Sequence, residues 1–202
     1  MPRLLKAVQL ETLKRGFTMP SDLQVGSLLR TLVASRPGGR FLELGTGLGL
    51  SLSWITEGMD PAASVISIEN EQDYASFATE LFADNEGVTI LYTDGGRWLE
   101  QYTGPPFDLI FADTWPGKYN HLNEALALVK PGGFYVIDDM LPQPNWPEGH
   151  AERAKNLLHT LTSHDQFYVT NLAWSTGVVI AVKQSTAGFK SPWSSSGRDE
   201  TE

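Results

Sequence analysis

From residue 40 to residue 138 short apolar runs alternate with amphipathic stretches, and this alternation restricts the fold more than any other feature of the sequence. Arg40 to Leu44, Ser64 to Glu69, Val88 to Tyr92, Phe107 to Asp113 and Phe134 to Asp138 read as buried strands. Leu50 to Glu57, Gln72 to Phe82 and about 119 to 129 read as helices between them. Parallel strands need crossovers, and right-handed crossovers put helices outside the sheet. The expected class is α/β, a doubly wound and mostly parallel sheet with helices on both faces.

The flanks read differently. Residues 4 to 15 form an amphipathic helix with a basic side made by Arg3, Lys6, Lys14 and Arg15. Gly16 and Pro20 interrupt it, and Ser21 stands where it can cap a second helix from about 22 to 35. Beyond the fifth strand, DDMLPQPNWPEGH (138–150) holds three prolines and a glycine, so it reads as a long loop leading into a helix at about 151 to 161. Gln166 to Ala173 and Gly177 to Lys183, separated by WST, read as an antiparallel pair ending the sheet. The Ser- and Gly-rich run from 185 predicts a mobile tail. The expected organisation is thus an N-terminal helix covering a pocket (1–20), one domain (21–184) and a tail (185–202).

Composition narrows the function. With 202 residues, 41% of them hydrophobic, the chain can bury one core. Lys+Arg number 15 against 24 Asp+Glu, a net charge of -9, which argues against a non-specific grip on nucleic acid phosphates. The absence of cysteine excludes disulfides, thiolate metal sites and a cysteine nucleophile. Charges from Lys6 onward break up any signal-peptide core, and no run of about 18 apolar residues occurs. A cytoplasmic protein without a membrane span is expected.

ELGTGLG (43–49) follows the first core strand and opens a helix, an arrangement in which glycines let backbone approach a ligand and the helix offers free N–H groups. A plain structural turn remains open on that string alone. The next strand ends in Glu69, 24 residues after Gly45, where a βαβ unit places a carboxylate beside ribose hydroxyls. The third strand ends in Thr93-Asp94-Gly95, where the carboxylate can accept from an adenine amino group and Gly95 leaves room for a ring. Leu50 stands where G-x-G-x-x-G would need glycine, which argues against a dinucleotide, and no P-loop is present.

FLELGTGLGLS, SIE, VTILYTDGG, PFDLIFAD and LVKPGGFYVIDD, in that order over about 40 to 139, resemble the successive motifs of class I S-adenosylmethionine-dependent methyltransferases. The resemblance implies a seven-stranded sheet in the order 3-2-1-4-5-7-6 with an antiparallel final hairpin, which agrees with the pair read at 166 to 183. It further implies that Glu43 and Gly45 line the methionine part of S-adenosylmethionine. Thr46 lies in the same turn, and Gly47 and Gly49 give clearance. Glu69 matches the ribose carboxylate, and Asp94 and Gly95 lie in the adenine-facing turn.

Asp113 ends the fourth strand and Asp138-Asp139 end the fifth, so three carboxylates gather at neighbouring strand ends. From position alone they are ligands of Mg²⁺, Mn²⁺ or Ca²⁺, solvated loop carboxylates, or caps. FADTWPGKY and VIDDM resemble the paired signatures of cation-dependent catechol and caffeoyl-CoA-type O-methyltransferases. That resemblance implies metal ligation by Asp113, Asp138 and Asp139, the last replacing an asparagine. GFTMPSDLQVGSLLRTLV resembles the entrance helix of that group, with Met19 near the cofactor or acceptor. The lysine that serves as general base in the catechol branch is replaced by Pro116. Lys118 is either a substitute base or an ordinary solvated lysine at a helix start, and Asp113 with Lys118 are the candidate catalytic residues. Trp115 and Trp146 are candidate walls for a planar acceptor, Trp54 reads as core and Trp174 as hairpin, and His150 is the histidine nearest the expected pocket. The implied reaction is methyl transfer to a hydroxyl of a small aromatic or diol-like acceptor, with a homodimer left open. The alternatives are a metal-independent enzyme acting on nitrogen or carboxylate, and an inactive cofactor-binding module.

Overall fold

The computed structural model describes residues 1–143 and 146–185. Its elements run α1 (Leu5–Arg15), α2 (Leu23–Ala34), β1 (Arg40–Leu44), α3 (Leu50–Gly58), β2 (Ser64–Glu69), α4 (Gln72–Leu81), β3 (Val88–Tyr92), α5 (Gly95–Gln101), β4 (Phe107–Ala112), α6 (Leu122–Ala127), β5 (Val129–Ile137), α7 (His150–Thr162), β6 (Phe167–Leu172) and β7 (Val178–Lys183). The seven strands form one sheet in the order β3-β2-β1-β4-β5-β7-β6. The first five are parallel, and β7 runs antiparallel to both β5 and β6. The expected fold class is therefore correct. The expected tail falls, except for Ser185, outside the described residues.

Alternation along the strands sorts the core into two layers. Leu42, Leu44, Ile110, Ala112, Tyr135 and Ile137 face α5, α6 and α7 through Leu99, Ala125, Leu126, Leu157 and Leu161. Phe41, Leu109, Phe111 and Val136 face α2, α3 and α4 through Val25, Leu29, Val33, Leu52, Ile55 and Ala78. A third cluster holds α1 down: Leu5 and Val8 pack with Leu48, Leu50 and Trp54, beside the turn that follows β1. The first helix is thus fastened to the glycine turn rather than to the rim at large.

Three details depart from the expected elements. Helix α5 was not anticipated, because its first two residues, Gly95 and Gly96, are poor helix formers. Asp94 caps it by accepting from Arg97 N at 2.8 Å, and Trp98 and Tyr102 stack on each other and pack against Phe107. Strand β5 begins at Val129 rather than Phe134, with an irregularity in its pairing to β4 between Phe107 and Leu109. Gly132 within it has φ 76. Finally, Asp22 and not Ser21 caps α2, accepting from Gln24 N at 2.7 Å.

Candidate active site

A cavity of about 430 Å³ opens along the C-terminal ends of β1, β2, β4 and β5. One end is built by the turn after β1. Gly45, Gly47 and Gly49 have φ of 99, 52 and 89, a left-handed series that other residues adopt only with strain. At Gly45 a Cβ would also lie 3.1 Å from Asp113 O, so the turns after β1 and β4 approach closely. At Gly49 it would lie 2.7 Å from the buried Phe82 ring. Gly45, Thr46 and Gly47 line the cavity, while Gly49 supports them from behind.

Glu69 lines the cavity at 7% exposure, and its carboxylate organises the turn. Oε2 accepts from Gly47 N at 2.7 Å, and Oε1 accepts from Asn70 N and Glu71 N at 2.9 Å each. Glu43 lies one layer deeper, fully buried on the apolar face of β1. Ser67 donates to its Oε2, while Oε1 has no partner. Burial raises the Glu43 carboxyl to about 7, with Ser51 and Ser67 opposing and the Glu69 charge adding to the rise. Glu43 is therefore a support of the turn and does not itself line the cavity. Asp94 is exposed, occupied as the α5 cap, and also outside the lining, whereas Thr93 and Gly95 are part of it. The N-terminal segment contributes Thr12, Phe17, Met19, Pro20 and Ser21, with Met19 67% exposed at the mouth.

The opposite end is aromatic. Trp115, Tyr119, Trp146 and His150 line it. Tyr119 Oη and His150 Nε2 share a hydrogen bond of 2.9 Å, and Trp146 and Trp115 lie 4.4 and 6.3 Å from the His150 ring. Arg153 stacks over Trp115 at 5.2 Å. Burial and the Asp139 charge push the Tyr119 phenol up to about 12, so it stays a neutral donor. Burial together with Lys118 and Arg153 lowers His150 below the usual imidazole range, against the opposing pull of Asp139. Trp54 is in the core and Trp174 in the β6–β7 turn, as read from the sequence.

Asp113, Lys118 and Asp139 lie between the two ends. Asp113 Oδ2 accepts from Ser21 Oγ at 2.9 Å, so Ser21 serves the site instead of a helix cap. Burial, then Asp138 and Asp139, hold the Asp113 carboxyl well above its ordinary range, with Lys118 and Ser21 opposing. Asp138 is 1% exposed; its Oδ1 accepts from Asp139 N at 2.7 Å and from Thr176 Oγ1. Burial raises it to about 6, the two hydrogen bonds holding it lower than burial alone would. Asp139 sits at φ 56, a left-handed conformation that aspartate tolerates.

Lys118 does not stand solvated at a helix start. Helix α6 begins only at Leu122, and Lys118 is 5% exposed with Nζ donating to Asp138 O at 2.7 Å. The cause is the turn before it. Gly117, at φ 86, leaves no space for a Cβ, which would lie 2.6 Å from Leu44 Cδ1, and Tyr135 Oη donates to its carbonyl. That clamp holds the turn against the sheet and directs Lys118 inward.

The divalent cation implied by the sequence does not fit this arrangement. Asp138 and Asp139 are close enough to raise the Asp113 carboxyl, yet among the described residues no three His, Asp or Glu side chains are grouped to hold an ion. One Asp138 oxygen is committed to Thr176 and Asp139 N–H, one Asp113 oxygen to Ser21, and a lysine ammonium is buried beside them. Sequence reasoning missed Ser21, Ser67 and Thr176 in these roles, and also Phe17, Tyr74 and Tyr119. Only Gly117, in a turn that demands positive φ, signalled that Lys118 would turn inward.

Residues 42–140 match the family model described as a methyltransferase domain. A protein of Mycobacterium avium (strain 104) is 32% identical over 118 residues, covering 56% of this chain and 53% of its own length. Catechol O-methyltransferase B of Danio rerio is 28% identical over 137 residues, 63% of this chain and 52% of its own. The chain thus spans about half the length of the curated relatives it matches. The crystal structure of the Bacillus cereus O-methyltransferase in complex with SAH shares the fold, with a TM-score of 0.80 at 20% identity over 91% of this chain and 92% of that one. Residues 42–140 thus resemble a methyltransferase domain, and the fold is that of the solved O-methyltransferase.

Proposed function

We propose that the chain transfers the methyl group of S-adenosylmethionine to a hydroxyl of a small aromatic acceptor. The observation that carries this reading is one continuous cavity with a glycine and carboxylate turn at one end, aromatic rings at the other, and Asp113 and Lys118 between them. The relatives support the donor, since the Bacillus cereus protein was crystallised with SAH. A net charge of -9 favours a small molecule over nucleic acid as acceptor. No described helix is long and apolar enough to cross a membrane.

The residues fit an adenosyl ligand. Glu69 keeps one lone pair, on Oε2, for a ribose hydroxyl while its backbone bonds fix it, and Gly95 leaves space beside β3. Thr46 and Gly47 present a surface without protruding side chains at the methionine end. When bound, the sulfonium supplies an electrophilic methyl group. Trp115, Tyr119, Trp146 and His150 hold the acceptor ring so that its oxygen faces that carbon, and positioning of this kind is the larger part of such catalysis. The acceptor proton passes to a carboxylate oxygen of Asp113, whose raised pKa suits a general base. The oxygen lone pair forms the new O–C bond, and the C–S pair returns to sulfur as a neutral thioether. The divalent cation has no part in this proposal, because one oxygen each of Asp113 and Asp138 is engaged within the protein and the buried Lys118 amine lies beside them.

A panel of catechols, phenols, amines and carboxylates incubated with S-adenosylmethionine and read by mass spectrometry tests it. Methyl ethers of a phenolic or catecholic member are expected. Methylation confined to amines or carboxylates, or none with the cofactor bound, would refute it.

A further inference from the structure

We propose that the Lys118 ammonium is this protein's built-in cation, occupying the place of a divalent metal and binding the acceptor oxygen directly, so that the chain works without a metal. The inference rests on the methyl-transfer reading above and gives it a specific electrostatic device. Three observations carry it. Lys118 is buried at 5% exposure, yet the residue lines the cavity together with Asp113, Asp139 and Tyr119. Among the described residues its one hydrogen bond is to Asp138 O at 2.7 Å, and it forms no ion pair with a carboxylate within 4.0 Å. Two of its three N–H donors therefore have no acceptor among the described residues.

A buried cation is costly unless its donors are satisfied, and a structural lysine would sit on a carboxylate. Here the backbone carbonyl and the Gly117 clamp fix the amine, while two donors remain for a ligand. An oxygen that gains negative charge as its proton leaves is such a ligand, and a fixed donor of opposite charge stabilises it where water is excluded. The same charge balances Asp113, Asp138 and Asp139, the task that a metal would otherwise perform. A Lewis acid and an ammonium cannot both occupy that space without repelling each other.

Two measurements on the full chain test this. In the first, Mn²⁺ binding is followed by electron paramagnetic resonance with no cofactor or acceptor present. Wild-type protein should bind none at 0.1 mM metal by that order of magnitude, whereas Lys118→Met, which keeps the buried stem and removes the charge, should acquire Mn²⁺ binding. In the second, turnover is measured after chelator treatment. Wild-type kcat should be unchanged by chelator or added Mg²⁺, and Lys118→Met should lose roughly a hundredfold in kcat with cofactor affinity preserved. Lys118→Arg, which keeps a cation, should recover part of that loss. Tight Mn²⁺ binding by wild-type protein, metal-dependent turnover, or full kcat in Lys118→Met would each overturn the proposal. If no acceptor is methylated at all, the methyl-transfer reading fails while the metal-binding arm still decides the role of Lys118; if Lys118→Met does not fold, wild-type metal binding and Lys118→Arg decide it.

Discussion

Removing the Glu69 carboxylate should damage both the fold of the turn and the affinity for the cofactor. The carboxylate accepts three backbone hydrogen bonds, from Gly47, Asn70 and Glu71, at 2.7, 2.9 and 2.9 Å. A hydrogen bond to a charged group contributes about 1.5–3 kcal/mol, but the cavity lets water replace part of what is lost. The net cost of Glu69→Ala is therefore about 3 kcal/mol, and for a chain of this size the melting temperature should fall by roughly 6–12 °C. Glutamine should be no rescue. Whichever way its amide is turned, its NH₂ meets a backbone N–H that needs an acceptor. Loss of a ribose hydrogen bond adds about 1–3 kcal/mol, or roughly five- to 150-fold in cofactor Kd. Differential scanning fluorimetry and calorimetric titration with S-adenosylmethionine read the two effects separately. Wild-type cofactor affinity in folded Glu69→Ala, or a wild-type melting temperature in Glu69→Gln, would refute the reasoning.

Gly49→Ala should cost about 2–4 kcal/mol, the sum of left-handed strain at φ 89 and a Cβ 2.7 Å from the Phe82 ring, seen as a lower urea midpoint. Folded Glu43 binds its proton up to about 7 while the unfolded side chain loses it near 4.5. Its stabilising contribution is thus complete below about pH 4.5 and is lost as pH rises to about 7, so the Glu43 contribution to stability should fall by roughly 3 kcal/mol across that window and level off above it, and Glu43→Gln should flatten that slope in melting curves across the range. Trp115→Ala should raise the KM for an aromatic acceptor roughly five- to thirtyfold, or about 1–2 kcal/mol, with cofactor Kd unchanged in a calorimetric check.

The parallel core was readable because each strand from Arg40 to Tyr92 is a short apolar run closed by a turn, and β1, β2 and β3 have the bounds their residues suggest. Helix α5 was hidden by Gly95 and Gly96, whose propensity is overruled by the Asp94 cap and the packing of Trp98 and Tyr102 on Phe107. The glycine turn and Glu69 were legible since spacing along one βαβ unit places them. The far side of the site was less so. Ser21 reaches Asp113 across 92 residues, and Thr176 reaches Asp138 across 38, and neither partnership leaves a local pattern. Asp94 drew attention as a ligand because it ends β3, but a carboxylate at that position also suits a helix cap, and the helix claims it. The three strand-end aspartates suggested a metal because a sequence shows where carboxylates gather and not which oxygens are already taken. In the reading proposed above the missing charge comes from Lys118, in a turn whose inward direction depends on Gly117 pressing against Leu44 and Tyr135.

The central claim, that a methyl group passes from the adenosyl end of the cavity to an oxygen at its aromatic end with Asp113 taking the proton, is tested most directly by a single turnover. Protein preloaded with S-adenosylmethionine labelled in its methyl group is mixed with the best acceptor of the panel, and wild-type and Asp113→Asn chains are compared. The account predicts label in an aryl methyl ether from the wild-type protein, and a rate about a hundredfold or more lower from Asp113→Asn, with cofactor affinity nearly the same in both. Label on nitrogen or carboxylate, or an Asp113→Asn chain that transfers at the wild-type rate, would contradict it.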